Sequence, residues 1–252
     1  VACLSASKLA FWAMLENPHQ PGCPWYQHAE VFGAPDIKYC EQTLCQIISE
    51  PALTWTNLPI IFVGVLAVVY SGRSQNPWLK SLGLSVAAMG LLSFLYHLSN
   101  NFLTQLFDYI GMYFFVALVI LLGLLKVGRV SKDKIVSFYL MGMFAFTVGI
   151  VSFHLLQIPK QLIVVAGALP IYLEYKSYRV GSGLVKWLIL SVGFFALALT
   201  CQILDINRVF CDPNNHYFQM HMFWHIFNSL GIGFYLLYCF RLNESDYSGG
   251  RV

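Results

Sequence analysis

Three features of the sequence predict an all-α integral membrane bundle of seven transmembrane helices. The 252 residues are 58% hydrophobic and only 11% charged, with a mean hydropathy of +0.63, whereas a soluble domain carries about 25% charged residues. Seven apolar segments follow one another near 52–70, 80–98, 105–125, 135–154, 160–176, 184–204 and 217–240. Most approach the roughly 20 residues that cross a bilayer as helix. The basic residues are divided unevenly: eleven of the fifteen, including Arg73, Lys80, Lys126, Lys132, Lys176 and Arg241, fall in the links after the first, third and fifth segments or in the C-terminal tail. Excess Lys and Arg marks the cytoplasmic side. The N-terminus is therefore expected outside or in a lumen, and the C-terminus in the cytoplasm.

Residues 1–49 are the polar part, a leader followed by a cap. Leu9 to Leu15 reads as a short interfacial helix with Phe11 and Trp12 at the headgroups, and a disordered leader over residues 1–30 is the equal alternative. No basic stretch precedes a separate apolar core there, as it would in a signal peptide. From Asp36 to Glu50 an ordered cap is expected over one membrane end. Residues 50–240 form the bundle, and 241–252 a short tail. Pro59 and Pro170 are tolerable in membrane helices and are expected to kink them. Gly83, Gly90, Gly142, Gly149, Gly231 and Gly233 would allow close helix contact. A net charge of +3 built from few charges, without aromatic interleaving, excludes a nucleic-acid surface. The bilayer is the expected partner, and no obligate protein partner is inferred.

Five polar residues stand out within the apolar segments. Ser93 and His97 are four apart in the second, as are His221 and His225 in the seventh, so each pair shares a helix face. Asp108 opens the third segment. In the seven-span topology all five gather at one membrane depth, near the outer end, where they are costly unless they serve each other or a metal. Three neutral imidazoles with one open position make a common catalytic zinc shell, in which zinc lowers the pKa of a water to about 7 and polarises a carbonyl. Asp108 would move the water's proton to the leaving group, and Ser93 would donate to the developing oxyanion. Taken singly the residues have simpler explanations. A lone pair of histidines four apart only shares a face, Ser93 would bond its own backbone, and Asp108 would pair with an outer basic residue. His154 and His216 are alternative third ligands, read as interface residues, while His19 and His28 are expected in solvent. Trp224, flanked by the two ligands, is expected to pack near the site.

Ser93-x-x-x-His97, Asp108 and His221-x-x-x-His225 resemble the signature of the superfamily of seven-span hydrolases that holds alkaline ceramidases, adiponectin-receptor-like and Per1-like proteins. Cys40-Glu41, Glu50 and Asn57, the run Gly90 to His97, and Asp205-x-Asn207-Arg208-x-Phe210-Cys211-Asp212 look like the alkaline ceramidase branch. The resemblance covers roughly residues 36–240. It implies zinc on His97, His221 and His225, Asp108 as acid/base, Ser93 on the scissile amide oxygen, and ceramide as substrate, cleaved to sphingoid base and fatty acid. It also implies a calcium ion in the cap, for which Glu41, Glu50, Asp36 and Asn57 are the candidate ligands. Lys38 stands where a further acid would help, and the alternative is that Glu41 and Glu50 cap or pair near a helix start. Of the seven cysteines, Cys23, Cys40, Cys45 and Cys211 fall outside, where disulfides are permitted, and a Cys40–Cys211 bridge would tie the cap to the entrance of the last span.

The reading is a zinc-dependent lipid amidohydrolase in a bacterial inner membrane or a eukaryotic ER or Golgi membrane, with its site near the outer or lumenal side. The rivals are a phospholipase or glycolipid-remodelling hydrolase, for which the same five residues would serve, and a receptor in which zinc only braces the bundle.

Overall fold

Apolar runs of about twenty residues, bounded by turn formers and charges, satisfy their backbone polar groups internally as helices, the only open-ended structure hydrocarbon tolerates. The computed structural model describes residues 17–74, 77–156, 168–177 and 185–241, and these are helical throughout apart from the cap and connecting turns. In chain order they form α1 (Tyr26–Phe32), α2 (Pro51–Trp55), α3 (Leu58–Ser74), α4 (Pro77–Ser99), α5 (Phe102–Lys126), a 3-10 turn (Lys132–Lys134), α6 (Ile135–Leu155), α7 (Ala168–Ser177), α8 (Val185–Ile206) and α9 (Met220–Arg241).

Among the described residues six stretches are long and apolar enough to cross a membrane: Pro51–Gly72, Pro77–Ser99, Phe102–Lys126, Lys132–Ser152, Val185–Ile206 and Met220–Arg241. Of the expected fifth span, 160–176, only the part in α7 is described. The expected Leu9–Leu15 helix and the tail beyond Arg241 lie outside the described residues, as does the side chain of His154. α5 is the central helix, with 67% of its apolar window buried, while α8 lies at the periphery with 11%. The main core gathers Leu82, Val86, Leu118, Leu122, Ile232 and Leu236 from α4, α5 and α9.

Three glycines, Gly64, Gly83 and Gly90, set the α3–α4 contact. A Cβ at Gly64 would lie 2.4 Å from the backbone nitrogen of Ala87, and one at Gly90 would lie 2.9 Å from that of Ile61, so the helices touch backbone to backbone. Gly142 and Gly149, expected to help packing, face open space. Pro59 does not kink a helix. It is the second residue of α3, where no intrahelical N–H is lost.

The cap is ordered from Asn17 onward. α1, a Cys23–Cys45 disulfide, and a hydrogen bond of 2.8 Å from the Trp25 indole to Ile47 O hold residues that the sequence offered equally as disordered. His19 is correspondingly not in solvent: it is 4% exposed, and its Nε2 lies 2.9 Å from Ser99 O. His28 is exposed, as expected.

At the opposite end of the bundle a buried ion pair fastens α7. Lys126 Nζ of α5 lies 2.7 Å from Glu174 Oε1, with both side chains at most 4% exposed. Tyr238 OH of α9 donates to Glu174 Oε2 at 2.9 Å. Removing one partner of a buried pair leaves the other charge uncompensated. Glu174→Ala is therefore expected to cost about 3–5 kcal/mol, and Lys126→Met/Glu174→Leu to recover part of it. Unfolding curves in detergent check this, and a Glu174→Ala protein as stable as the parent would contradict it.

Candidate metal centre and active site

The α4–α5 turn brings Ser93 and Asp108 together. Asn100 adopts the left-handed conformation at φ 45°, and Asn101 caps α5 by accepting from Thr104 N at 3.2 Å. Ser93 and Asp108 lie six residues either side of this connection's helix ends, which at 1.5 Å per residue places each about 9 Å into its helix. Both are buried, and the Ser93 side chain is a hydrogen-bond neighbour of the Asp108 carboxyl.

His97, His221 and His225 are all buried, and their ligand atoms lie within 4.8 Å of one another. This is the only such group among the described residues. Each ring spends Nδ1 on a different acceptor. His97 Nδ1 lies 2.7 Å from Glu50 Oε2, His221 Nδ1 2.5 Å from Gln202 Oε1, and His225 Nδ1 2.9 Å from Thr56 Oγ1. The Thr56 hydroxyl donates to Ala52 O at 2.8 Å, so its oxygen is left to accept from His225. All three rings thus carry their proton on Nδ1 and keep the Nε2 lone pair, as ligating histidines do when an outer partner fixes the tautomer.

The residues fit a zinc ion. His97 Nε2 is fully buried with no hydrogen-bond partner, a costly arrangement for a polar atom unless a ligand takes it. Three neutral imidazoles are also the donor set of a catalytic zinc that keeps one position open.

Residues of the cap complete the wall. The Tyr39 ring stacks on His221, with centroids 3.7 Å apart and planes inclined by 21°, and its phenol hydrogen-bonds the Gln202 side chain. Burial, and then the nearby Asp108 carboxyl, hold that phenol neutral. Trp224 lies with its ring centroid 6.3 Å from that of His221. Asp205, at the end of α8, accepts from Cys40 N at 2.8 Å and from His221 N at 3.0 Å. Cys40 and Cys211 are joined by a disulfide, and the Arg208 guanidinium donates to Lys38 O at 2.6 Å and to Tyr39 O at 2.5 Å.

Of the four residues offered to calcium, Glu41 and Glu50 have other tasks for their carboxylates. Glu41 caps α2, accepting from Ala52 N at 3.0 Å and Leu53 N at 3.1 Å, and His216 Nδ1 lies 2.9 Å from its Oε1. Glu50 holds His97 with one oxygen and accepts from the Asn100 amide at 2.7 Å with the other. Asp36 donates its backbone N–H to Gln105 Oε1 at 2.7 Å, and the Asn57 amide donates to Leu53 O at 2.9 Å. Calcium needs six to eight oxygens. Among the described residues Asp36, Glu41 and Glu50 join no metal-ligand group, and the bonds of Glu41 and Glu50 are those of capping and pairing near a helix start. Burial pushes Glu41 up from the usual carboxylate range. Burial and the neighbouring Asp205 carboxyl push Glu50 up to about 8, while a metal's positive charge on His97 would act in the opposite direction.

The sequence alone placed Tyr39 only in the cap and Asp205 only in the motif before the last span, and it did not single out Gln202 or Thr56. The available signal was Gln202 and Asp205 together, two polar residues three apart in an otherwise apolar segment.

A comparison with curated proteins found no match. Against protein-family models, the one described as Ceramidase matches residues 34–248, which span the cap from Ala34 onward, all six candidate spans and every residue of the centre. This chain belongs to the ceramidase family.

Proposed function

We propose that this protein is a zinc-dependent amidohydrolase that cleaves ceramide to a sphingoid base and a free fatty acid. The observation that carries the reading is the set of three buried imidazoles, each of which places Nδ1–H on an acceptor and leaves Nε2 for a metal, at the bundle end that also holds the buried Ser93–Asp108 pair. A zinc ion on those three rings would supply Lewis acidity and a water acidic enough to lose a proton near neutral pH.

Asp108 takes that proton and returns it to the amide nitrogen as the C–N bond breaks, so that water's oxygen stays on the acyl carbon and the amine leaves neutral. Ser93, one turn before His97, donates to the amide oxygen as negative charge develops there. The cap excludes bulk water above the rings, with Tyr39 as its floor. Low polarity at this depth makes each of these interactions stronger than it would be in water.

The reading includes seven spans, with the cap and site on the outer or lumenal face and the tail in the cytoplasm. It places the chain in a bacterial inner membrane or an ER or Golgi membrane. It also keeps the division into leader and cap (1–49), catalytic bundle (50–240) and tail (241–252). The helices α3 to α9 expose Phe62, Leu84, Leu91, Phe144 and Ile189, as a bilayer-embedded enzyme drawing its substrate from the lipid would.

The test is product analysis by mass spectrometry after incubating purified protein with liposomes that contain ceramide, phospholipid or glycolipid. Fatty acid and sphingoid base from ceramide are expected, and their release should stop with a zinc chelator. Hydrolysis confined to another lipid would move the substrate within the same chemistry. No hydrolysis of any lipid by zinc-loaded protein would favour a receptor.

A further inference from the structure

We propose that Gln202 and Asp205 are positioning residues that mount His221 at two points, its ring and its backbone, and so set its tautomer and its place in the metal shell. This inference rests on the zinc reading above and extends it to α8, whose other polar contact with α9 among the described residues is the bond from Ser191 to Gly231 O.

α8 is the least buried of the candidate spans, at 11% of its apolar window. Yet its last two turns carry an amide and a carboxylate three residues apart, on one face, and Asp205 is 1% exposed. A carboxylate in that setting is costly unless its oxygens are filled. Both are, by backbone donors from two different elements: Cys40 N of the cap on Oδ1 at 2.8 Å and His221 N on Oδ2 at 3.0 Å. His221 is the second residue of α9, so its N–H is one of the four that a helix start leaves without an intrahelical partner. Asp205 caps α9 from a neighbouring helix, and through Cys40 it fixes the height of the cap above it.

One turn earlier, Gln202 Oε1 lies 2.5 Å from His221 Nδ1. An amide oxygen is an acceptor only, so the proton is placed on Nδ1 and the lone pair on Nε2. The two contacts act on separate degrees of freedom. Asp205 fixes where the His221 backbone begins its helix, and Gln202 fixes how the ring is turned and which nitrogen is free. Tyr39 lies against the face of the ring at 3.7 Å. A side chain in α8 that merely filled space would require neither acceptor.

The test measures zinc affinity by chelator competition, and the visible spectrum of the cobalt-substituted protein, for wild type, Gln202→Leu, Gln202→Glu and Asp205→Asn. Gln202→Leu keeps volume but removes the acceptor. It should weaken zinc binding by roughly 10–100-fold, the usual effect of losing an outer partner of a ligating histidine, and should alter the cobalt spectrum. Gln202→Glu keeps the acceptor and should restore both. Asp205→Asn, which retains one acceptor oxygen, should fall between. The proposal is overturned if folded Gln202→Leu binds zinc as wild type does, or if Gln202→Glu is as impaired as Gln202→Leu. Failure of the wild-type protein to bind zinc would instead remove the reading on which it rests.

Discussion

Asp108→Asn is expected to abolish turnover while the protein retains its metal. The substitution is isosteric and keeps a polar group beside Ser93, so the local packing of α4 and α5 should survive. None of the three imidazoles depends on Asp108 for its Nδ1 hydrogen bond, since those go to Glu50, Gln202 and Thr56. An amide, however, cannot take up a proton and return it. Loss of a positioned general acid/base removes a factor of about 10²–10⁴, and the fall should appear in kcat at unchanged zinc content. An Asp108→Asn protein that hydrolyses ceramide at the parent rate would assign the proton transfer elsewhere.

The second large effect is expected at Glu50, where the cap and the metal centre meet. Glu50→Leu strands the His97 Nδ1–H and one of the two N–H groups of the Asn100 amide inside the protein, where each had a bond of 2.7 Å to Glu50, while the other Asn100 N–H keeps Thr43. A buried donor left unsatisfied costs about 1–3 kcal/mol, so the loss of both bonds should lower the unfolding temperature markedly. Zinc affinity should also fall, by roughly 10–100-fold, because His97 loses the partner that orients it. Added calcium should leave the stability of the wild-type protein unchanged, since Glu50 acts here through hydrogen bonds within the protein. Stabilisation of the wild type by calcium that is lost in Glu50→Leu would return Glu50 to the role the resemblance first gave it.

The histidine centre was legible because its chemistry is incompatible with its surroundings. Ser93, His97, Asp108, His221 and His225 are polar residues in apolar helices, and α-helical spacing with alternating span direction is enough to bring them to one end. The partners of those rings were less visible. Thr56 and Gln202 are residues that helices use freely, and only the turn of α2 into α3 and the approach of α8 to α9 reveal what they touch. Glu50 was noticed only as one acid among several in a cap, offered to calcium or to capping and pairing near a helix start. Nothing in its local sequence indicates that Asn100, turned by a left-handed residue conformation, and His97 will fill both its oxygens. His19 was misplaced because a polar leader suggests solvent, whereas the Cys23–Cys45 bridge folds that stretch back onto the end of α4. The Lys126–Glu174 pair was seen only as two charges at segment ends. Their meeting depends on α7 packing against α5, where Leu173 lies within 2.9 Å of the Cβ position of Gly123.

The most direct test of the central claim is the metal content of purified wild-type protein and of His221→Ala, measured alongside fatty acid release from ceramide. About one zinc per chain in the wild type, its loss in the variant, and fatty acid release only by the wild type are the predicted results. A folded wild-type protein that holds no zinc, or that releases fatty acid equally well after His221→Ala, would contradict the account.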